Sequence, residues 1–179
     1  MKKIVTAFGL IAGLIVAIMM VISTTLFYGN KNYECSMYVG YATMLIAFSM
    51  IFVAVKNYRD KYNNGTVTFG KAFMIGLYVT LIASTIYVLV WLVIYYGFMP
   101  DFMDKYADFM ITKSKTNGAS KQEIDQQIAN MASYKQMYKN PAFVILLTYA
   151  EILPVGLIIA IISALILKRK PNNNILATS

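Results

Sequence analysis

The amino-acid sequence predicts an all-α fold: an integral membrane four-helix bundle, with an extracytoplasmic amphipathic helical hairpin between spans three and four. Three observations predict it. Of 179 residues, 59% are apolar and 13% charged, about half the charged share of an ordinary soluble chain. Four apolar stretches reach or approach the ~20 residues that carry a helix across a bilayer. The Lys and Arg residues crowd the ends of those stretches on one side. A single membrane domain over 1–179 accounts for all three.

The first span is "IVTAFGLIAGLIVAIMMVISTTLFY", 4–28, and the second is "MYVGYATMLIAFSMIFVAV", 37–55. The third is "AFMIGLYVTLIASTIYVLVWLVIYYGF", 72–98, and the fourth is "AFVILLTYAEILPVGLIIAIISALIL", 142–167. Lys2 and Lys3 resemble the basic start of a signal peptide. The apolar run that follows is longer than the usual ~7–15 residues and no A-x-A site ends it, so an uncleaved span is expected. Small residues recur every fourth position in two spans: Gly9, Gly13 and Ala17 in the first, Gly156, Ala160 and Ala164 in the fourth. Such stripes let helices approach closely.

Four spans put both termini and the middle loop on one side. That side holds Lys2, Lys3, Lys56, Arg59, Lys61, Lys71, Lys168, Arg169 and Lys170, with Asp60 as its acid. On the other side, Lys31 and the lysines of the long segment 99–140 are nearly balanced by acids. The basic side is therefore expected to be cytoplasmic. Cys35 then lies near the outer face, where it either cross-links two copies or packs against the bundle. The polar tail, 171–179, is expected to be disordered.

The middle loop, "KNYRDKYNNGTVTFGK", carries an Asn63-Asn64-Gly65 turn signal and Thr68 as an N-cap for the third helix. Lys56, Arg59, Lys61 and Lys71 are candidate ligands for anionic lipid headgroups; alternatively they only set topology. The outer segment, 99–140, is too long for a structureless loop. Phe102, Tyr106 and Phe109 share one helical face over 101–111. After Asn117-Gly118, a Ser120-x-x-Glu123 capping box opens a second helix over 121–138. This hairpin is either a lid or docking face, or a cover for the bundle.

Several functions are excluded on composition. With no His and one Cys, the chain has no His/Cys metal site, no intrachain disulfide and no Ser-His-Asp or Cys-His catalysis. The formal charge of +8 comes without a dense basic, aromatic-interleaved patch, so no nucleic-acid partner is expected. Acid proteolysis needs paired carboxylates, and a single one lies inside a span. Neither a cofactor nor an enzymatic activity is expected.

That carboxylate is Glu151, in "LTYAEILPVG". It lies about ten residues into the fourth span, roughly 15 Å deep at 1.5 Å per residue. Burial in apolar surroundings favours the neutral acid. Pro154 has no N–H and deprives the Ala150 carbonyl of its helical partner. Counting inward from the outer end of the antiparallel third span reaches Tyr87, with Ser84 one turn deeper. At about 100° per residue, Glu151 points away from the Gly156/Ala160/Ala164 stripe. No Lys or Arg lies in a span core, so an ion pair is not expected. Two readings stay open: Glu151 hydrogen-bonds to Tyr87 or Ser84 and pins the helices, or it lines a wet pocket and binds a proton, cation or cationic solute.

The stretch "YRDKYNNGTVTFGKAFMIGLYVTLIASTIYVLVWLVIYYGFMPDFMDKY" and the later "AEILPVGLIIAIISALILKRK" resemble the DUF4199 family of small four-helix bacterial membrane proteins. "TFGKAF", the "PDF" after span three and Glu-x-x-Pro in span four are the most specific parts, while 112–135 shows no matching pattern. The resemblance implies four spans, a bacterial inner (cytoplasmic) membrane and no assigned activity. On the residues alone, the expected role is that of a non-enzymatic membrane scaffold or accessory subunit, acting through lipid, a membrane-protein partner or a second copy. The alternative is a small transporter or channel-like oligomer using Glu151. A large polar cavity would favour the latter, and a dry bundle the former.

Overall fold

The structure, a computed structural model, describes residues 1–28 and 33–169; Lys31, Lys170 and the tail 171–179 lie outside the described residues. The elements in order are α1 (Lys2–Tyr28), α2 (Tyr33–Asn57), a π-helical turn (Tyr58–Tyr62), α3 (Phe69–Phe98), α4 (Phe102–Thr116), α5 (Lys121–Met137) and α6 (Pro141–Leu167). Among the described residues there is no strand. Four helices, α1, α2 with its π-turn, α3 and α6, are long and apolar enough to cross a membrane.

The helices outrun the apolar stretches that announced them. α2 begins at Tyr33 rather than at 37, and helical backbone continues through Tyr62 rather than stopping at 55. α4 ends at Thr116 rather than 111. Hydropathy marks the part of a helix fit for lipid, whereas backbone hydrogen bonds carry the helix into polar sequence until a cap or turn ends it.

Those punctuation marks lie where the sequence puts them. The Thr68 side chain accepts from the Lys71 N–H at the start of α3. Ser120 and Glu123 form the reciprocal capping box of α5. Asn140 caps α6, with Pro141 in its first turn. Asn64 (φ 49°) and Gly65 (φ 74°) make the left-handed turn after the π-helix.

α3 packs on α1 and α6, and α2 packs on the same two helices. One core joins all four: Val16, Phe48, Ile51, Ile75, Val79, Ile152, Ala160 and Ala164 belong to it. Both small-residue stripes are used. A Cβ on Gly13 would stand 2.3 Å from Ile86 Cδ1, and one on Gly9 would stand 2.9 Å from Ile82 Cβ, so α1 receives two α3 isoleucines. α6 meets a matching stripe on α3. A Cβ on Gly76 would lie 2.7 Å from Ala160 Cβ, and one on Gly156 would lie 2.3 Å from Thr80 Cγ2. These backbones touch because glycine leaves room for them.

At the end opposite α4 and α5, the loop before α3 is tied to the residue after α6. Val67 N–H donates to the Arg169 carbonyl (3.0 Å) and Arg169 N–H to the Val67 carbonyl (2.8 Å). Arg59 pairs with Asp60 (2.6 Å) and reaches the Leu167 carbonyl (3.5 Å), adding positive charge at the carbonyl end of α6. Lys56 and Lys61 are exposed, and Lys71 stands 5.9 Å from the centre of the Tyr58 ring. Arg59 is thus committed to its neighbours, while the three lysines stay at the surface.

α4 and α5 pack against each other and are bridged by the Asp104–Lys135 ion pair. Aromatic rings hold the hairpin to the span ends: Phe102 lies edge-on to Trp91 (5.2 Å between centroids) and Tyr95 meets Tyr138 (5.5 Å). The Tyr28 hydroxyl donates to Asp101, Lys105 pairs with Asp101 (2.8 Å), and the Lys105 ammonium sits 4.1 Å from the centre of the Tyr28 ring. The hydrogen bond from Lys105 and then that from Tyr28 hold the Asp101 carboxyl below its usual range.

Candidate binding chamber

The two halves of the helical assembly differ. Towards the termini, the four long helices close on Ala47, Ile51, Ala54, Val55, Ala72 and Ile75, all fully buried. Towards α4 they part around a cavity of about 670 Å³. α1 gives it Val16, Met19, Met20, Ser23 and Thr24; α2 gives Ser36, Met37, Gly40, Tyr41, Thr43 and Met44. α3 contributes Tyr87 and Trp91. α6 contributes Leu147, Thr148, Ala150 and Glu151, with Tyr138 just before it. α4 supplies Tyr106, Phe109, Met110 and Lys113, so one helix of the hairpin forms part of the wall.

Local sequence explains why the helices part here. Towards the termini small residues such as Ala47, Ala54, Ala72 and Gly76 lie buried between the helices and let the axes close up. Around the chamber the facing residues are Tyr, Trp, Phe and Met, which hold the helices apart. Glu151 carries open surface although protein atoms surround its carboxyl, because the space it faces is the chamber. No described residue forms a hydrogen bond to it.

The expected site residues are brought together only in part. Tyr87 shares the chamber with Glu151, but no hydrogen bond joins them. Ser84 does not line the chamber; it is fully buried and its hydroxyl has no partner among the described residues. Thr80, one turn away on α3, is also buried with an unpartnered hydroxyl, which faces Gly156. Pro154 does not line the cavity, but Ala150, whose carbonyl it releases, does. Cys35 is half-buried.

Sequence reasoning missed the α4 contribution. Lys113 is not in a span, yet it shares the chamber with Glu151. Its 3.6-residue spacing from Tyr106, Phe109 and Met110 was a signal that one α4 face runs on to Lys113. Burial raises the Tyr106 phenol; Lys113 opposes that shift, and the charges of Tyr134 and Glu151 reinforce it. Burial, with the charge of Glu151 next, pushes Tyr138 up to about 12. Both phenols therefore stay neutral at physiological pH and keep their O–H donors.

The Ser23 and Ser36 hydroxyls of the lining bond to each other (3.1 Å), and the threonine hydroxyls spend their protons on their own helices. Thr24 donates to Met20 O (2.8 Å), Thr43 to Val39 O (2.7 Å) and Thr148 to Val144 O (2.7 Å). What remains on these oxygens is acceptor capacity. Among the described residues no group of three His, Cys, Asp or Glu could hold a metal ion.

The family model "Protein of unknown function (DUF4199)" matches residues 7–169. No curated protein and no solved structure matches the chain.

Proposed function

We propose that this chain, which belongs to the DUF4199 family of unknown function, is a small solute-handling membrane protein of the transporter type, with Glu151 as its charged binding group. The observation that carries the reading is the cavity of about 670 Å³ with the Glu151 carboxylate in its wall. Intramembrane acids mark ion and solute sites by default. A scaffold or accessory subunit has no need of an open chamber, and the cavity therefore supports the solute reading over the scaffold reading. A carboxylate with no second acid among the described lining residues supports binding and release rather than acid chemistry by a carboxylate pair.

The protein sits in a bacterial inner membrane with both termini and 56–71 in the cytoplasm and the α4–α5 hairpin outside. Support comes from the Lys and Arg distribution. The chamber then opens towards the outer face, with α4 as its lid, and the tightly packed half closes the cytoplasmic side. Exposed apolar residues such as Leu10, Leu14, Leu146 and Ile166 face lipid or a second copy.

Single cysteines in a Cys35→Ser background test both parts. A membrane-impermeant methanethiosulfonate applied to intact cells should leave Asn64→Cys unlabelled. In purified, folded protein the reagent should label Thr148→Cys in the chamber and spare Ile152→Cys, which is buried one turn on. Labelling of position 64 from outside would reverse the orientation. A Thr148→Cys protein as inert as Ile152→Cys would mean a dry interior and end the solute reading.

A further inference from the structure

We propose that the occupant of the chamber is an organic monocation: an ammonium or guanidinium group on an apolar or aromatic body. This rests on the reading of the chamber as a wet solute site and names the class of solute. Four features of the lining converge on it.

The first is charge. Glu151 is the one acid among the described lining residues, and no described donor engages it; a cation beside it favours its ionised form over the neutral acid that burial alone would favour.

The second is the balance of donors and acceptors. The threonine hydroxyls at 24, 43 and 148 have given their protons to their own helices and offer lone pairs. The Ala150 carbonyl is released by Pro154 in the same wall. An N–H-bearing cation finds these acceptors beside the Glu151 carboxylate.

The third is the wall itself. Tyr41, Tyr87, Trp91, Tyr106, Phe109 and Tyr138 all line the cavity. Aromatic faces attract organic cations, most strongly where water is excluded. The methionines among them are flexible and polarizable, and they adapt to apolar bodies of varied shape.

The fourth is size. A cavity of about 670 Å³ lies inside the ~300–1,000 Å³ range of small-molecule sites. A proton needs no such space. A bare divalent cation needs several oxygen ligands of high charge, and among the described residues no cluster of acids supplies them.

The protein's one tryptophan, Trp91, lines the chamber, so its fluorescence reports on that space alone. Purified protein in nanodiscs is titrated with phenyltrimethylammonium and, separately, with benzenesulfonate, a similar body of opposite charge. The cation is expected to give a saturable change and the sulfonate none. Glu151→Gln should weaken cation binding by about tenfold or more, the scale of one lost charge-assisted contact. Tyr106→Phe should keep affinity, and Tyr106→Leu should weaken it by about threefold, since the aromatic face is lost; thermal unfolding of both variants confirms that the fold holds. Should Glu151→Gln fail to fold, the Tyr106 pair decides.

Equal saturation by cation and anion overturns the proposal. So does unchanged affinity in folded Glu151→Gln, or equal affinity of Tyr106→Phe and Tyr106→Leu. Absence of cation binding in a protein whose Thr148→Cys is labelled defeats the monocation while leaving the solute reading standing. An unlabelled Thr148→Cys defeats the solute reading itself.

Discussion

Leucine in place of Gly156 is expected to leave no stable folded protein in detergent or lipid. Even the first carbon of a side chain at 156 would stand 2.3 Å from Thr80 Cγ2, 2.8 Å from Thr80 Oγ1 and 3.0 Å from Phe48 Cζ. Thr80 is β-branched and stiff at χ1, and Phe48 is fully buried in the common core. Neither swings away, so α3 and α6 must separate, and their contact is the largest between any two helices here. Overpacking of this kind costs about 1–3 kcal/mol for small insertions, and more for larger ones. Alanine at 156 should therefore fold with a cost of about 1–3 kcal/mol, while leucine should not fold.

The double variant Gly156→Ala/Thr80→Ala separates collision from other causes. Thr80→Ala removes the two nearest of the three atoms that crowd position 156 and leaves Phe48 Cζ at 3.0 Å. It also removes a hydroxyl that is buried without a partner, so its own cost is small. Unfolding by steric trapping should show a coupling of about 1 kcal/mol or more between the two sites. Simple additivity would mean that the α3–α6 approach is looser than the glycine contacts require.

The same contact shows how much the sequence disclosed. The Gly156/Ala160/Ala164 stripe was visible as a period of four and does face another helix. Its counterpart, Gly76 and Thr80 on α3, has the same period and was equally legible, but threonine hides its role behind a polar atom. Spans, caps and turns were readable because each is local: Thr68, Ser120 and the Asn64-Gly65 turn act on their immediate neighbours in sequence, and the Asn140 cap, equally local, went unread. The depth count that paired Tyr87 with Glu151 leads to a residue that lines the same chamber without bonding to it. It failed at Ser84, because a helix turn alternates faces within a few residues and depth alone does not fix azimuth. The entry of Lys113 into the chamber was not readable from the spans. It depends on how α4 folds back over the assembly, and that is set by the Tyr28–Asp101–Lys105 contact and the Phe102–Trp91 ring pair between distant segments. The pairing of Val67 with Arg169 was hidden for the same reason.

Alanine at Glu151 is expected to leave the fold intact and to remove solute binding. Had the carboxyl pinned α6 to α3, its loss would strand a buried partner and cost about 1–3 kcal/mol. No described residue donates to it, and Ser84, the deeper candidate partner, lies outside the chamber. Truncation therefore strands nothing. It also opens no closed void, since the side chain already faces a cavity. Stability should stay within about 0.5 kcal/mol of the parent, as for substitutions that touch no packed neighbour. Glu151→Asp keeps the charge but shortens its reach, so it should bind phenyltrimethylammonium more weakly than the parent and more tightly than Ala or Gln. The order Glu, then Asp, then Gln with Ala follows charge rather than hydrogen-bonding capacity, because Gln keeps both donor and acceptor. Thermal unfolding and Trp91 titration on the four proteins check both halves. A loss of about 2 kcal/mol or more in Glu151→Ala, restored in Glu151→Gln, would make this residue a structural pin.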